Sequence, residues 1–363
     1  MEPLLERMSA LENALKETNR TNRRLEQDIR ELRGQQRHGG RRLRLCAGAA
    51  AFFALLFVLS LPLTPAAAAL TLDQRVAALE SKLVYLTRTG TDMVISGANL
   101  YIVNGTGKTI TANGLGNLIL GYNEKRNDGT DLRTGSHRLV IGRFNNYTHW
   151  GGMVVGEKNE VQYDYSSVTG GRENQALAQY ATITGGWKGI VYGEFGAISG
   201  GRENIAYGPS SSITAGYLNQ ANEAYASVTG GQHNSAQWLY SAVSGGNNNV
   251  ASGDSASVSG GIYNVAGGVN SSISGGGYNT TGGGGASTAN GSGASVSGGI
   301  YNTANGLYAS VTGGSSNHAV SSVASVSGGS GNQAIGSYSS VSGGSGVTEA
   351  QNDGWAAGSL HSP

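Results

Sequence analysis

Cysteine, proline and charge are all scarce in this chain of 363 residues: one Cys, five Pro and only 13% Asp, Glu, Lys and Arg. A single cysteine, Cys46, excludes an intrachain disulfide framework, and its place at the start of an apolar run reads as a small buried or membrane-embedded thiol. Lys and Arg are absent after Arg202. The last 161 residues therefore offer no phosphate-tracking surface, and no nucleic-acid partner is expected. The six histidines are scattered, and the acids after Arg202 are only Glu203, Glu223, Asp254, Glu349 and Asp353. They are too dispersed for a glycosidase pair. No catalytic residue, metal ligand or cofactor is expected, and the chain does not read as an enzyme. Asn127-Asp128-Gly129-Thr130-Asp131, with Glu124 nearby, has the outline of a calcium loop but not EF-hand spacing, and reads as an exposed turn.

Glycine is abundant instead. Sixty glycines without a Gly-X-Y period exclude collagen and point to turn-rich repeats. Before the repeats, Leu4, Met8, Leu11, Leu15, Thr18, Asn22, Leu25, Ile29 and Leu32 alternate at steps of four and three, the period of a coiled-coil seam over residues 1–38. A basic flank (Arg37, Arg41, Arg42, Arg44) then precedes Leu45–Leu61, a run without charge that is long enough to reach across most of a bilayer as a helix. Residues 39–70 thus read as a signal anchor with the N-terminal side in the cytoplasm. A cleaved signal peptide, cut near Ala69, is the competing reading. Residues 71–90 carry a shorter heptad run, Leu72, Val76, Leu79, Leu83 and Leu86. Both zippers predict a parallel oligomer.

Residues 91–152 read as a β lead-in, with Leu118-Ile119-Leu120-Gly121 and Leu139-Val140-Ile141-Gly142 as irregular forerunners of a motif that is regular from Met153 to residue 348. Its anchor is an apolar residue before Ser/Thr-Gly-Gly, with Thr214-Ala215-Gly216 in one copy: Val168, Ile183, Ile198, Ile213, Val228, Val243, Val258 and Ile273 at intervals of 15, then Val296, Val311, Val326 and Val341 after one interval of 23. Six residues past the anchor stand Asn174, Asn204, Asn219, Asn234, Asn249, Asn264, Asn279, Asn302, Asn317 and Asn332; eight past it stands a small residue, usually Ala. A fixed period of strand-type residues predicts an all-β parallel solenoid with 15-residue coils. The anchor and the Ala point inward, Gly-Gly turns the corner, and the Asn column either forms amide ladders between coils or bonds its own turn. So thin a core, about one Val and one Ala per coil, favours side-by-side association of chains. Residues 349–363 read as a terminal cap or tail.

The segments SVTGGREN, ASVSGGIYN and SVSGGSGNQAIGSYS resemble the head repeats of YadA-like trimeric autotransporter adhesins, over about residues 95–350. NLILGYNEKRND and HRLVIGRFNN look like the segments that lead into such heads. The resemblance implies a left-handed β-roll, a homotrimer and a cell-surface adhesive role towards a host or matrix protein or glycan. With no C-terminal β-barrel segment read in the chain, attachment is expected through Leu45–Leu61. Two other classes remain open: an ice- or crystal-binding solenoid using the Ser/Thr residues beside each anchor, and a phage-type fibre or spike. Arg172-Glu173 and Arg202-Glu203, two coils apart, read as surface ion pairs. Trp187, Trp238, Tyr217, Tyr263, Tyr278 and Tyr301 fall near turns, as ligand-binding or chain-packing groups.

Overall fold

The structure is a computed structural model that describes residues 71–282 and 291–358, with the backbone of 360 and 361. The expected zipper over 1–38 and membrane segment over 39–70 lie outside the described residues. Two units meet in sequence at Ala98 and Asn99.

The first unit holds helix α1 (Leu72–Leu83) and a hairpin of β1 (Leu86–Thr89) and β2 (Asp92–Ile95). Thr71 starts the helix with a reciprocal capping box: Gln74 N–H donates to its hydroxyl at 3.3 Å, and its own N–H donates to the Gln74 side-chain oxygen at 2.9 Å. Asp73 in the first turn and Lys82 in the last oppose the helix dipole. Leu72, Val76, Leu79 and Leu83 are exposed along it. The heptad expected over 71–90 is thus shorter than read, because Leu86 belongs to β1. Thr89 pairs with Asp92 across Gly90-Thr91, and Gly90 takes the positive φ of 61° that a two-residue hairpin turn needs.

The second unit is a parallel β-solenoid of about 14 turns. Strands β3 (Leu118–Leu120), β4 (Leu139–Arg143), β6 (Met153–Glu157) and β8 (Ser167–Val168) open one sheet, the anchor sheet; β5 (Asn146–Tyr147) and β7 (Glu160–Val161) open the facing alanine sheet. From β9 (Gln175–Ala176) to β29 (Gln333–Ala334), two-residue strands alternate between the sheets, each pairing with the strand one coil away. The anchor sheet ends with β30 (Ser340–Val341), β32 (Trp355–Ala357) and an antiparallel β33 (Leu360–His361); the alanine sheet ends with β31 (Thr348–Glu349). At about 4.8 Å per coil the stack from Val140 to Ala356 is about 65 Å long.

The anchors Val168 to Val341 are all 0–1% exposed and face Ala176, Ala206, Ala221 and their successors, all 0% exposed. Two further columns enter the core. One is the asparagine column; the other, two residues before each anchor from Val168 on, holds Ala, Ser or Gly and includes Ala181, Ala226, Ala256, Ser211 and Ser241. The core is therefore four residues deep per coil, where the sequence reading counts two. Val or Ile at the anchor still contributes most, roughly 1.5–3 kcal/mol each.

The coil length changes along the rod. Val140 pairs with Val154, and Val154 with Val168, both at steps of 14. The inward residue of that coil is Val154, buried, and not Met153, where the regular period was expected to begin. The reason is one glycine. In these coils a lone Gly142 or Gly156 follows the anchor, and the strand runs on through it for five residues. From Val168 an extra glycine precedes the corner glycine, the strand shortens to two residues, and the period becomes 15.

The two glycines are not equivalent. The second of each pair has positive φ, 88° at Gly246, and a Cβ there would overlap the Gly261 carbonyl of the next coil. A Cβ on the first, Gly245, would meet nothing within 4 Å, and Ala215 already stands at that place in one coil. Gly246→Ala is therefore expected to cost about 3 kcal/mol, from left-handed backbone strain plus overpacking, and Gly245→Ala to be near neutral. Thermal melts of the two variants check this pair.

The 23-residue interval keeps register: Ser272 pairs with Ser295. A Cβ on Gly291 would meet the Cα of Gly282, so these two residues lie next to each other. Deleting 283–290 leaves a 15-residue coil and is expected to leave the melting temperature within about 2 °C of the parent, a shift below about 0.5 kcal/mol. A larger loss would show that the segment supports the coil.

Candidate functional site

The ten predicted asparagines are all buried. Each turns its carboxamide on the backbone. For Asn249, Oδ1 accepts the Asn264 N–H of the next coil at 3.0 Å. Its Nδ2 donates to the Gly245 carbonyl of its own corner and to the Gly261 carbonyl of the next, each at 2.9 Å. Of the two roles open from sequence, the bond to its own turn is made, while the tie to the next coil goes to that coil's backbone and not to its carboxamide as an amide ladder would. A contact between two carboxamides occurs where Asn279 Nδ2 donates to Asn264 Oδ1 at 3.1 Å. The column begins earlier than the repeat reading, at Asn145 and Asn159. Gly189 interrupts it while still donating its N–H to Asn174, and Val347 ends it by donating to Asn332. With its hydrogen bonds spent on backbone, this column holds the corner and leaves no free group for a ligand.

The outer surface offers more. From Val168 on, the residue four past each anchor continues a row of parallel bridges that begins at Glu157 and runs through Arg172, Trp187, Arg202, Tyr217 and onward; the residue after each takes a left-handed conformation. In the first coils this corner is charged. The Arg202 guanidinium lies over Trp187 at 4.3 Å and Tyr217 at 5.2 Å, and pairs with Glu203 at 3.1 Å. Glu173 pairs with Arg172 at 3.2 Å and accepts the Trp187 indole N–H at 3.2 Å. The indole hydrogen bond, with help from the charges of Arg172 and Lys158, holds the Glu173 carboxyl below its ordinary range. The expected Arg-Glu pairs are thus present on one face, but Trp187 between them links the two.

A pocket of about 250 Å³ beside this corner is lined by Arg126, Asp128, Phe144, Glu157, Lys158 and Arg172. The Arg126 guanidinium is committed to the carbonyls of Phe144, Lys158 and Asn159 and to Glu160. Asp128 accepts the Thr130 hydroxyl and N–H, which lower its pKa. The segment with the calcium-loop outline is therefore a turn bound to itself. Among the described residues no group of three His, Cys, Asp or Glu is placed to hold a metal ion.

Further along the same corner the character changes. Ile262 and Ile300 occupy the row, and Tyr263, Tyr278 and Tyr301 stack beside it with ring centroids 5.0 Å apart. A second aromatic column runs three residues before the anchors, through Tyr165, Tyr180 and Phe195 at 5.3 and 4.7 Å, and resumes at Tyr225 and Tyr240 at 4.9 Å. Tyr192 and Tyr207 form a third short stack. These rings are about half exposed, as is Trp238. The aromatics that look scattered in the sequence thus fall into columns; the signal was their recurrence at 15, as in Tyr165-Tyr180-Phe195. The hydroxyl row on the anchor sheet is broken by Ala197 and Ala242 between Thr182, Ser212, Ser227 and Ser257.

No protein-family model matches this chain, and a search of curated proteins finds no match.

Asn249→Ala removes three hydrogen bonds and leaves the Asn264 N–H and two glycine carbonyls without their side-chain partner. It is expected to cost about 3 kcal/mol or more, read by denaturation. Trp187→Phe is expected to raise the Glu173 pKa towards its ordinary value, followed by carboxyl-carbon NMR. Because the native pKa lies below the unfolded one, this interaction adds stability above the unfolded value, and the contribution fades as pH falls through the native value.

Proposed function

We propose that this chain is a non-enzymatic structural and adhesive rod that works as a side-by-side homo-oligomer at the cell surface. The observation that carries the reading is the set of half-exposed aromatic columns. Tyr263, Tyr278 and Tyr301, with Ile262 and Ile300, make a continuous apolar strip three coils long on an otherwise Ser- and Gly-rich rod. Contiguous exposed apolar surface of this kind marks an interaction site. Rings already stacked on one another present edges and hydroxyls outward, a form suited to packing against a neighbouring chain or an extended ligand.

The resemblance to YadA-like heads gives the number of chains as three and the role as adhesion. The exposed seam of α1 and the heptads over 1–38 supply parallel alignment in this reading. Among the described residues no helix is long and apolar enough to cross a membrane. Attachment through Leu45–Leu61 is part of the proposal, with a host or matrix protein or glycan as partner.

The test is the mass of the full-length chain in mild detergent by light scattering. A particle of three times the 37.1 kDa chain mass supports the reading. A single-chain mass across micromolar concentrations overturns it.

A further inference from the structure

The solenoid holds no cysteine, so no disulfide can tie one coil to the next. Its tyrosines stand where such a tie would be made. Tyr165 and Tyr180, Tyr192 and Tyr207, and Tyr225 and Tyr240 occupy the same place in successive coils. Their ring centroids are 5.3, 5.2 and 4.9 Å apart, with interplanar angles of 5°, 8° and 10°.

Tyr225 and Tyr240 are the most open of these pairs, 54% and 55% exposed. Their backbones share the left-handed conformation, at φ of 58° and 56°, so both side chains leave the rod in the same direction. Equivalent ring atoms then lie about one coil apart, and an ortho carbon of one phenol stands beside the ortho carbon of the other. Ser210 precedes the pair in this column and Ser255 follows it, both at the same left-handed turn. These small neighbours leave the rings room to swing from a stack to edge contact by rotation about the Cα–Cβ and Cβ–Cγ bonds.

We propose that Tyr225 and Tyr240 form an oxidative cross-linking site, at which two successive coils become joined by a dityrosine bond, with Tyr165–Tyr180 and Tyr192–Tyr207 as further sites of the same kind. The co-reactant is hydrogen peroxide used by a peroxidase. Each phenol gives up one electron and one proton, and the two phenoxyl radicals join by a carbon–carbon bond between ortho positions. The ortho hydrogens then move as protons to the oxygens and restore both phenols. Two electrons and two protons leave in all, and they reduce one hydrogen peroxide to two waters. The coil lattice supplies the encounter, because it holds the second phenol at contact distance and so at a high effective concentration. The bond acts as a disulfide does, by constraining the unfolded chain.

The same column separates proximity from exposure. Phe195 stacks on Tyr180 at 4.7 Å but has no hydroxyl to oxidise. Tyr308 and Tyr338 are more exposed, at 64% and 62%, yet Val323 stands between them and sets them two coils apart, about 9.6 Å. Exposure alone favours coupling of Tyr308 and Tyr338, whereas the stack favours Tyr225 and Tyr240. The bond lies within one chain, so the inference does not depend on how many chains assemble.

The experiment treats the full-length chain in mild detergent with hydrogen peroxide and a haem peroxidase. The single-chain band is then taken from a denaturing gel, and its peptic fragments are mapped by mass spectrometry. The expected product is a pair of fragments joined at Tyr225 and Tyr240, lighter by two hydrogens than their sum, with dityrosine fluorescence and a raised melting temperature. Absence of that bond from the single-chain band overturns the proposal, as does coupling of Tyr308 to Tyr338 in preference. Tyr240→Phe keeps the ring and the stack, with circular dichroism to establish folding. It is expected to abolish coupling at Tyr225 and to leave Tyr165–Tyr180 and Tyr192–Tyr207 reactive. Coupling of Tyr225 to any other tyrosine of the same chain in that variant overturns the role given to the column.

Discussion

The corner backbones of successive coils approach each other closely, and the other features of the repeat follow from that constraint. Parallel strands two residues long hold few ladder hydrogen bonds, so the coils need a second tie at the same spacing of about 4.8 Å. The corner supplies it. Gly246, at positive φ, brings its backbone against the Gly261 carbonyl, and the Asn249 carboxamide binds both corners and the next coil's N–H. No larger residue fits at Gly246, and no other uncharged side chain of that length carries both a donor pair and an acceptor. Glycine and asparagine are thus fixed together: the first makes the approach, the second satisfies the polar groups that the approach buries.

A core tied in this way can be narrow. Anchor, asparagine, alanine and a small residue before the anchor fill each coil, and large side chains are left outside. Ala in two of the four inward columns sets the two sheets close together, and the corner columns then carry the aromatics. There they still gain from the lattice, because a ring repeated at the coil spacing stacks on the one below, at 4.7 to 5.3 Å. The left-handed backbone at Tyr263, Tyr278 and Tyr301, and again at Tyr165 and Tyr180, aims these rings alike. The same geometry that thins the core therefore assembles an apolar strip on the surface.

Which parts were legible in the sequence follows from what each part depends on. The anchor, glycine and alanine columns recur at a fixed interval with one residue type each, so period alone exposes the solenoid. The small column before the anchors alternates Ala with Ser and Gly, and a serine such as Ser211 or Ser241 reads as surface until the sheet is seen to enclose it. Met153 was placed in the anchor series because 15 residues separate it from Val168. The 14-residue coils shift the inward position to Val154, and only the pairing shows that one glycine is missing. The heptad over 71–90 fails at Leu86 because a two-residue turn at Gly90 outweighs a single leucine in phase. The aromatic stacks were hidden by being spread over three columns, each short.

Charge placement obeys the same spacing. Side chains in one column sit about 4.8 Å from their neighbours above and below, close enough that like charges repel and opposite charges or rings attract. The row of bridges at the corner runs Glu157, Arg172, Trp187, Arg202, Tyr217, and the one beside it Lys158, Glu173, Lys188, Glu203. In neither do two charges of one sign stand in adjacent coils: a carboxylate or a ring always separates the cations. Beyond Glu203 the corner passes to Leu218, His233 and Asn248, then to the tyrosines and at last to Ser316 and Gly331, all compatible with stacking on a neighbour of their own kind. A repeat of this pitch can keep a column charged only by alternating its sign, and otherwise must make it neutral. The loss of Lys and Arg after Arg202 is the second solution.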